Sequence, residues 1–189
     1  MTYAIEAMPL WTPNPATVGA TRMAQLMQAT GHASYGELWQ WSVDQPEAFW
    51  SQIWDFCGAL GEKGDKILVD RNKSARDTAP GAAGGIMPGA RWFPEARLNY
   101  AENLLKQRDD SEALVFWGED KVRRRMTRAE LAVAVARFQQ LLIDADVGEG
   151  DRVAGFLPNL PETLIAMLAT TALGAIWSSA SPDFGVQGV

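Results

Sequence analysis

One cysteine and one histidine are the whole stock of thiol and imidazole in 189 residues, which bounds the chemistry before any fold is considered. Cys57 lies among Phe49, Trp50, Ile53, Trp54 and Phe56, a setting that predicts a buried core thiol rather than a nucleophile. His32 follows Gly31 with no cysteine or second histidine nearby to share a metal, and reads as a surface or cap residue. Zinc chemistry and a Cys–His nucleophile pair therefore have little material. Gly81, Gly84 and Gly85 invite comparison with a phosphate cradle, but a P-loop follows its glycines with Lys and then Ser or Thr. Here Ile86 and Met87 follow, so a flexible connection is the better reading. The remaining cluster is the polar turn Ser181, Pro182, Asp183, Phe184 and Gly185, set directly after an apolar run. On residue types alone, Pro182 and Asp183 can cap a helix while Phe184 fills a core.

Composition narrows the class further. Apolar residues make up 47% and charged residues 21%, arranged periodically, which predicts a folded, soluble chain. The net charge of -6 argues against nucleic acid, whose phosphates require clustered Lys and Arg. The one basic run, Arg123 to Arg125 in "KVRRRMT", has a strand-like pattern that sends alternate side chains to opposite faces, and it reads as a solvated strand. A single cysteine excludes an internal disulfide framework and fits a reducing compartment. The start "MTYAIEAMPLWTP" carries Glu6 and no Lys or Arg, unlike a signal peptide, so a cytoplasmic location is expected. The most apolar stretch, Thr163 to Trp177, falls short of the roughly 20 residues that span a bilayer and predicts a buried helix and strand.

These candidates need elements to hold them. Residues 1 to about 60 read as helical and carry Trp11, Trp39, Trp41, Trp50 and Trp54. Pro15 and Gly31 bracket one helical segment. Ser34 with Glu37, and Asp44 with Glu47 around Pro46, form capping-box patterns. In the next helix Phe49, Ile53 and Phe56 make one row and Trp50, Trp54 and Cys57 a second, a stripe expected to pack against another domain. "KILVD" alone looks like a strand between residues 61 and 90. Asn99 with Glu102 predicts a short helix holding Tyr100, Leu104 and Leu105.

The second half has a different grammar. "EALVFWG" and "KVRRRMT" flank Gly118, Glu119 and Asp120 and predict a β-hairpin. Thr127 with Glu130 predicts a capping box ahead of an amphipathic helix with Leu131, Val135, Phe138 and Leu142 on one stripe. "RVAGFLP", a helix capped by Asn159 and Glu162, and "AIWSS" complete a β-α-β unit with parallel strands. The helix body "TLIAMLATTALGA" has no charge, so it needs cover on several sides. Two parallel strands with one crossover helix are few for a sheet buried on both faces. The expectation is a longer protein cut inside its sheet domain, with the helix from Thr163 to Leu173 exposed or covered by a neighbouring copy.

"ARWFPEARLNYAENLL" and "GDRVAGFLPNLPETLIAMLATTALGAIWSSASPDFG" resemble segments of the acyl-CoA synthetases of the adenylate-forming superfamily. With "PLWTPNP", "YGELWQWSVDQPEAFW" and "GAIWSSASPDFG" in order, the chain is similar to the branch that activates acetoacetate, and Trp177 and "SPDFG" separate it from acetyl-specific relatives. The resemblance implies an α/β fold in which residues 1–110 form a Trp-rich helical N-terminal segment. Residues 111–189 then form the first, incomplete part of the AMP-binding sheet domain. It implies a two-step ligase using ATP, magnesium and CoA: acetoacetate becomes an acyl-adenylate, and the CoA thiol then takes the acyl group. The phosphate loop and catalytic lysine of that family have no counterpart in these residues, so no catalytic or metal-binding residue is assigned and the piece alone is expected to be inactive. Ser181, Pro182, Phe184 and Gly185 match the loop beside the nucleotide end of CoA, whereas the Asp183 carboxylate would repel a CoA phosphate. The implied partners are small molecules, with no nucleic acid or membrane, and self-association through exposed apolar surface is expected. The competing readings are an interaction module offering its Trp-rich face to a protein, or a ligase for another short acid.

Overall fold

Local capping sets the N-terminal helices. The computed structural model describes residues 10–69, 90–119, 121–185 and 188. Helix α1 (Pro15–Gly19) begins where the Asn14 side chain accepts the Thr17 N–H at 2.7 Å. Thr21 then donates its hydroxyl to the Val18 carbonyl and accepts from the Ala24 N–H, starting α2 (Arg22–Thr30). The single helix expected between Pro15 and Gly31 is therefore two, because Thr21 takes the extended N-cap conformation with ψ 151°. Gly31 ends α2 at φ 74°, and the His32 N–H closes on the Met27 carbonyl at 2.9 Å. In α3 (Tyr35–Asp44) Ser34 caps Glu37 as expected, while the Glu37 carboxylate reaches the N–H of Ala33. The Asp44–Glu47 cap does not form. Only Gln45 separates α3 from α4 (Pro46–Phe56), so Asp44 is still helical and its carboxylate accepts from Gln40 instead.

Compactness divides the chain into two units, Met1–Ala59 with Asp65–Pro94 and Leu60–Gly64 with Glu95–Val189. In the first, aromatic rings meet in succession: His32 on Trp41 at 4.9 Å between centroids, Trp41 on Phe49 at 5.5 Å, Phe49 on Trp50 at 5.3 Å, and Trp50 on Trp92 at 5.9 Å. Trp92 comes from β2 (Arg91–Trp92), which pairs antiparallel with β1 (Leu68–Val69). Leu26, Leu38 and Leu68 are buried here. Cys57 is exposed, contrary to expectation: α4 ends at Phe56, so Cys57 is its C-cap and leaves the row of Trp50 and Trp54. The connection expected over the glycines at 81, 84 and 85 lies outside the described residues.

The second unit begins with α5 (Tyr100–Leu104), started by Asn99 as expected. β3 (Glu112–Gly118) and β4 (Val122–Thr127) form the expected antiparallel hairpin, with Glu119 in the left-handed region at φ 52° in its turn. α6 (Arg128–Asp144) has the full reciprocal capping box of Thr127 and Glu130. β5 (Arg152–Phe156) and β6 (Ile176–Ala180) pair in parallel around α7 (Pro161–Ala172). Asn159 does not cap α7. The N-cap position falls on Leu160, Pro161 occupies the first turn, and the Glu162 carboxylate leaves the helix to meet Arg124 at 2.5 Å. Across β5 and β6 the Trp177 ring crosses Gly155 so closely that a Cβ there would lie 2.5 Å from it, which is why that strand position carries glycine.

The apolar helix is covered by this chain itself, and this corrects the expectation that it would be exposed or covered by a neighbouring copy. Ile165, Ala166, Leu168 and Ala169 are buried, Leu168 to 1% exposure, in one cluster with Ala101, Leu131, Val135 and Leu142. Helices α5 and α6 supply the cover, while Leu164 and Met167 remain half-buried. The uncovered surface is on the sheet instead. Along β5 Arg152, Ala154 and Phe156 face outward, and Phe156 and Ile176 are 56% and 53% exposed.

Candidate functional site

β6 delivers the chain to the candidate turn. The Leu157 N–H donates to the Ala180 carbonyl at 3.2 Å, keeping the chain beside β5 to the last strand residue. Pro182 then occupies the second position of a four-residue turn closed by the Phe184 N–H on the Ser181 carbonyl at 3.0 Å, the position that the fixed φ of proline suits. The Ser181 hydroxyl donates to the Asp183 carboxylate at 2.9 Å and accepts the Asp183 N–H at 3.3 Å. The turn sits at the carboxyl end of two parallel strands, the end at which open α/β sheets take their ligands.

Its chemistry follows from these contacts. Among the described residues the Phe184 side chain is 55% exposed. Gly185 has no heavy atom within 4 Å of where a Cβ would stand, which leaves its backbone open to close approach. The Asp183 carboxylate is engaged by Ser181, and the turn itself carries no cation. It thus offers an aromatic face and open backbone, which suits a planar base, and it lacks what a phosphate needs. Among the described residues no group of His, Cys, Asp and Glu could hold a metal ion, and no helix is long and apolar enough to cross a membrane.

Two features carry weight that residue types alone did not reveal. Asn99 caps α5 through Oδ1 at 3.0 Å from the Glu102 N–H, while its Nδ2 donates to the carbonyls of Thr171 and Ala172 at 3.0 and 3.3 Å. One side chain thereby ties the start of α5 to the end of α7. The arginines of β4 are exposed, as the strand pattern predicts, and they line a cleft beside α6. The pairing of Asn with Glu three residues on was a signal for the first; only the juxtaposition of β4 and α6 shows the second.

The family model described as AMP-binding enzyme matches residues 101–189, and that described as Acetyl-coenzyme A synthetase N-terminus matches residues 35–104. An acetoacetyl-coenzyme A synthetase of Rhizobium meliloti strain 1021 is 46% identical over 187 residues, which is 96% of this chain and 27% of that protein. A malonamoyl-CoA synthetase of Penicillium aethiopicum is 35% identical over 161 residues, covering 82% of this chain and 21% of its own length. The solved acetoacetyl-CoA synthetase from Streptomyces lividans matches at a TM-score of 0.75 and 34% identity, covering 95% of this chain and 27% of that one. The chain therefore spans about a quarter of the length of the curated relatives it matches. Sequence and fold together place it in the family of AMP-binding, adenylate-forming enzymes, where it corresponds to the N-terminal part of acetoacetyl-CoA synthetases.

Proposed function

We propose that this chain acts as the N-terminal part of a longer, cytoplasmic acid–CoA ligase that activates acetoacetate with ATP and passes the acyl group to CoA. The observation that carries the reading is identity to an acetoacetyl-CoA synthetase running along 96% of the chain. The open face of β5 and β6 supports it, since parallel sheets are stable when both faces are covered. In this reading residues 1–110 supply the helical N-terminal segment and residues 111–189 the start of the AMP-binding domain. Magnesium beside the phosphates of ATP would neutralise charge as pyrophosphate departs; among the described residues no group of three or more His, Cys, Asp and Glu could hold it.

The residues of this chain contribute at the CoA side. Phe184 gives its exposed face to the adenine, Gly185 admits close approach of the backbone, and Ser181 and Pro182 hold the turn in shape. By keeping the Asp183 carboxylate on its own hydroxyl, Ser181 reduces its repulsion of the CoA phosphates. ATP–pyrophosphate exchange tests the reading: a protein encoded by the gene read onward past Val189 is expected to exchange with acetoacetate, and the 189-residue chain alone to show none. Exchange by the short chain, or none by the extended one, overturns it. A second acid is favoured by one observation, the 35% identity to a malonamoyl-CoA synthetase. Faster exchange with malonamate than with acetoacetate selects that reading.

A further inference from the structure

The second unit carries an arginine-lined cleft that the ligase reading does not use. It has a volume of about 770 Å³ and lies between β4 and the first half of α6, lined by Arg123, Arg125 and Arg137 together with Met126, Ala129 and Val133. Register fixes the faces. Arg123 opposes Trp117 and Arg125 opposes Val115 on the outward face of the hairpin, whereas Arg124 and Met126 turn to the other side. Two of the arginines are already neutralised, Arg124 by Glu162 at 2.5 Å and Arg125 by Glu112. The Glu130 carboxylate, which also lines the cleft, accepts the Thr127 N–H at 2.8 Å in the capping box. Among the described residues Arg123 meets only the Trp117 ring, 4.6 Å from its centroid, and Arg137 makes no hydrogen bond or ion pair. Two cations therefore face the cleft without a carboxylate. Beside them runs a strand that, among the described residues, pairs on one side only, so alternate N–H and C=O groups of β4 face outward.

We propose that this cleft is a docking site for an acidic, extended protein segment that adds to the free edge of β4. An added strand sends alternate side chains to opposite faces. On one face its carboxylates meet Arg123, whose neighbour Arg125 is already held by Glu112, and on the side of α6 a further carboxylate reaches Arg137 at the end of the Ala129–Val133 stripe. On the other, small apolar side chains rest on Met126, Ala129 and Val133, of which Val133 is exposed. The charge and the periodicity of the partner are thus set by the same geometry. Arginines also serve on edge strands simply to prevent self-pairing. That role predicts no bound peptide and gives no reason for the apolar residues that line the cleft beside the arginines.

Fluorescence anisotropy on the full 189-residue chain tests the proposal with a labelled peptide alternating Glu and Val. Saturable binding is expected that weakens as salt is raised, and that falls roughly tenfold or more in Arg123→Glu and Arg137→Glu, where like charges then oppose. A peptide of the same composition with its Glu and Val residues in separate blocks, or one with proline at alternate positions, should bind far more weakly to the wild-type chain. These peptide controls need no variant to fold. Equal binding of the alternating, blocked and proline peptides overturns the strand-addition geometry. Absence of binding, or affinity unchanged by Arg137→Glu in a variant with wild-type circular dichroism, overturns the site. Competition by inorganic triphosphate as strong as by the unlabelled peptide would make it a small-anion pocket and likewise overturn the docking.

Discussion

The two units bury their apolar groups in different ways. In the first, rings from Trp41, Phe49, Trp50, Trp54, Trp92 and Phe93 touch edge to face or tilted, and Trp50 and Trp92 remain exposed over much of their surface. In the second, aliphatic side chains of α6 and α7 interlock, and Leu168, Ala169 and Ala101 are closed off from solvent. In the first unit the rings leave edges open to solvent, whereas in the second the aliphatic side chains close around Leu168 and Ala169. Stability in the second unit should therefore be concentrated in single residues, and in the first it should be spread along the aromatic row.

Truncation of the closed core should have the largest effect. Leu168→Ala is expected to destabilise the second unit by about 3 kcal/mol, measured by urea unfolding, since a cavity opens beside residues that cannot collapse into it. A loss under about 1 kcal/mol would mean that α7 is not the centre of that core. Asn99→Ala comes next, at about 2 kcal/mol, because it removes a cap and leaves the Thr171 and Ala172 carbonyls without that donor. An Asn99→Asp variant sharpens the test: it keeps the cap but replaces the donor, so it should recover only part of the loss.

Trp41→Ala in the first unit should cost less than Leu168→Ala despite its larger side chain, because its ring is half-buried and its neighbours His32 and Phe49 are themselves partly open. Near-ultraviolet circular dichroism should lose signal while the melting temperature falls by only a few degrees, in line with about 1 kcal/mol. An effect equal to that of Leu168→Ala would erase the contrast between the units.

The smallest effect is electrostatic. The hydrogen bond from Arg124 holds the Glu162 carboxyl below the ordinary carboxylate range. A carboxyl lowered in the folded state adds stability above its unfolded pKa, and that stability is lost as pH falls through the folded value. Both side chains are about half exposed, at 43% and 52%, so solvent screening keeps the contribution below about 1 kcal/mol. Wild type and Glu162→Gln should differ slightly in melting temperature at neutral pH and converge in acid; a constant difference would point to another cause.

Much of this was legible in the residues because the rules involved are local. Thr127 with Glu130, Asn99 with Glu102, the hairpin around Glu119 and the parallel pair around α7 all follow from neighbours within a few positions. The failures mark where local rules compete. Asp44 and Asn159 have the right residue type for caps, but a one-residue link and the Pro158–Pro161 corner place the true N-cap elsewhere. The cover of α7 was misjudged because it comes from α5 and α6, which are distant in sequence. At the candidate site the Ser-Pro-Asp turn was legible, whereas the exposure of Phe184 depends on which surfaces surround it.

Residue-resolved amide hydrogen exchange tests the central contrast most directly. The slowest amides should belong to α7, around Ile165, Leu168 and Ala169, with those of α4 opening at distinctly lower free energy. Equal protection in α4 and α7, or slower exchange in α4, would contradict a closed core in the second unit and an open aromatic row in the first.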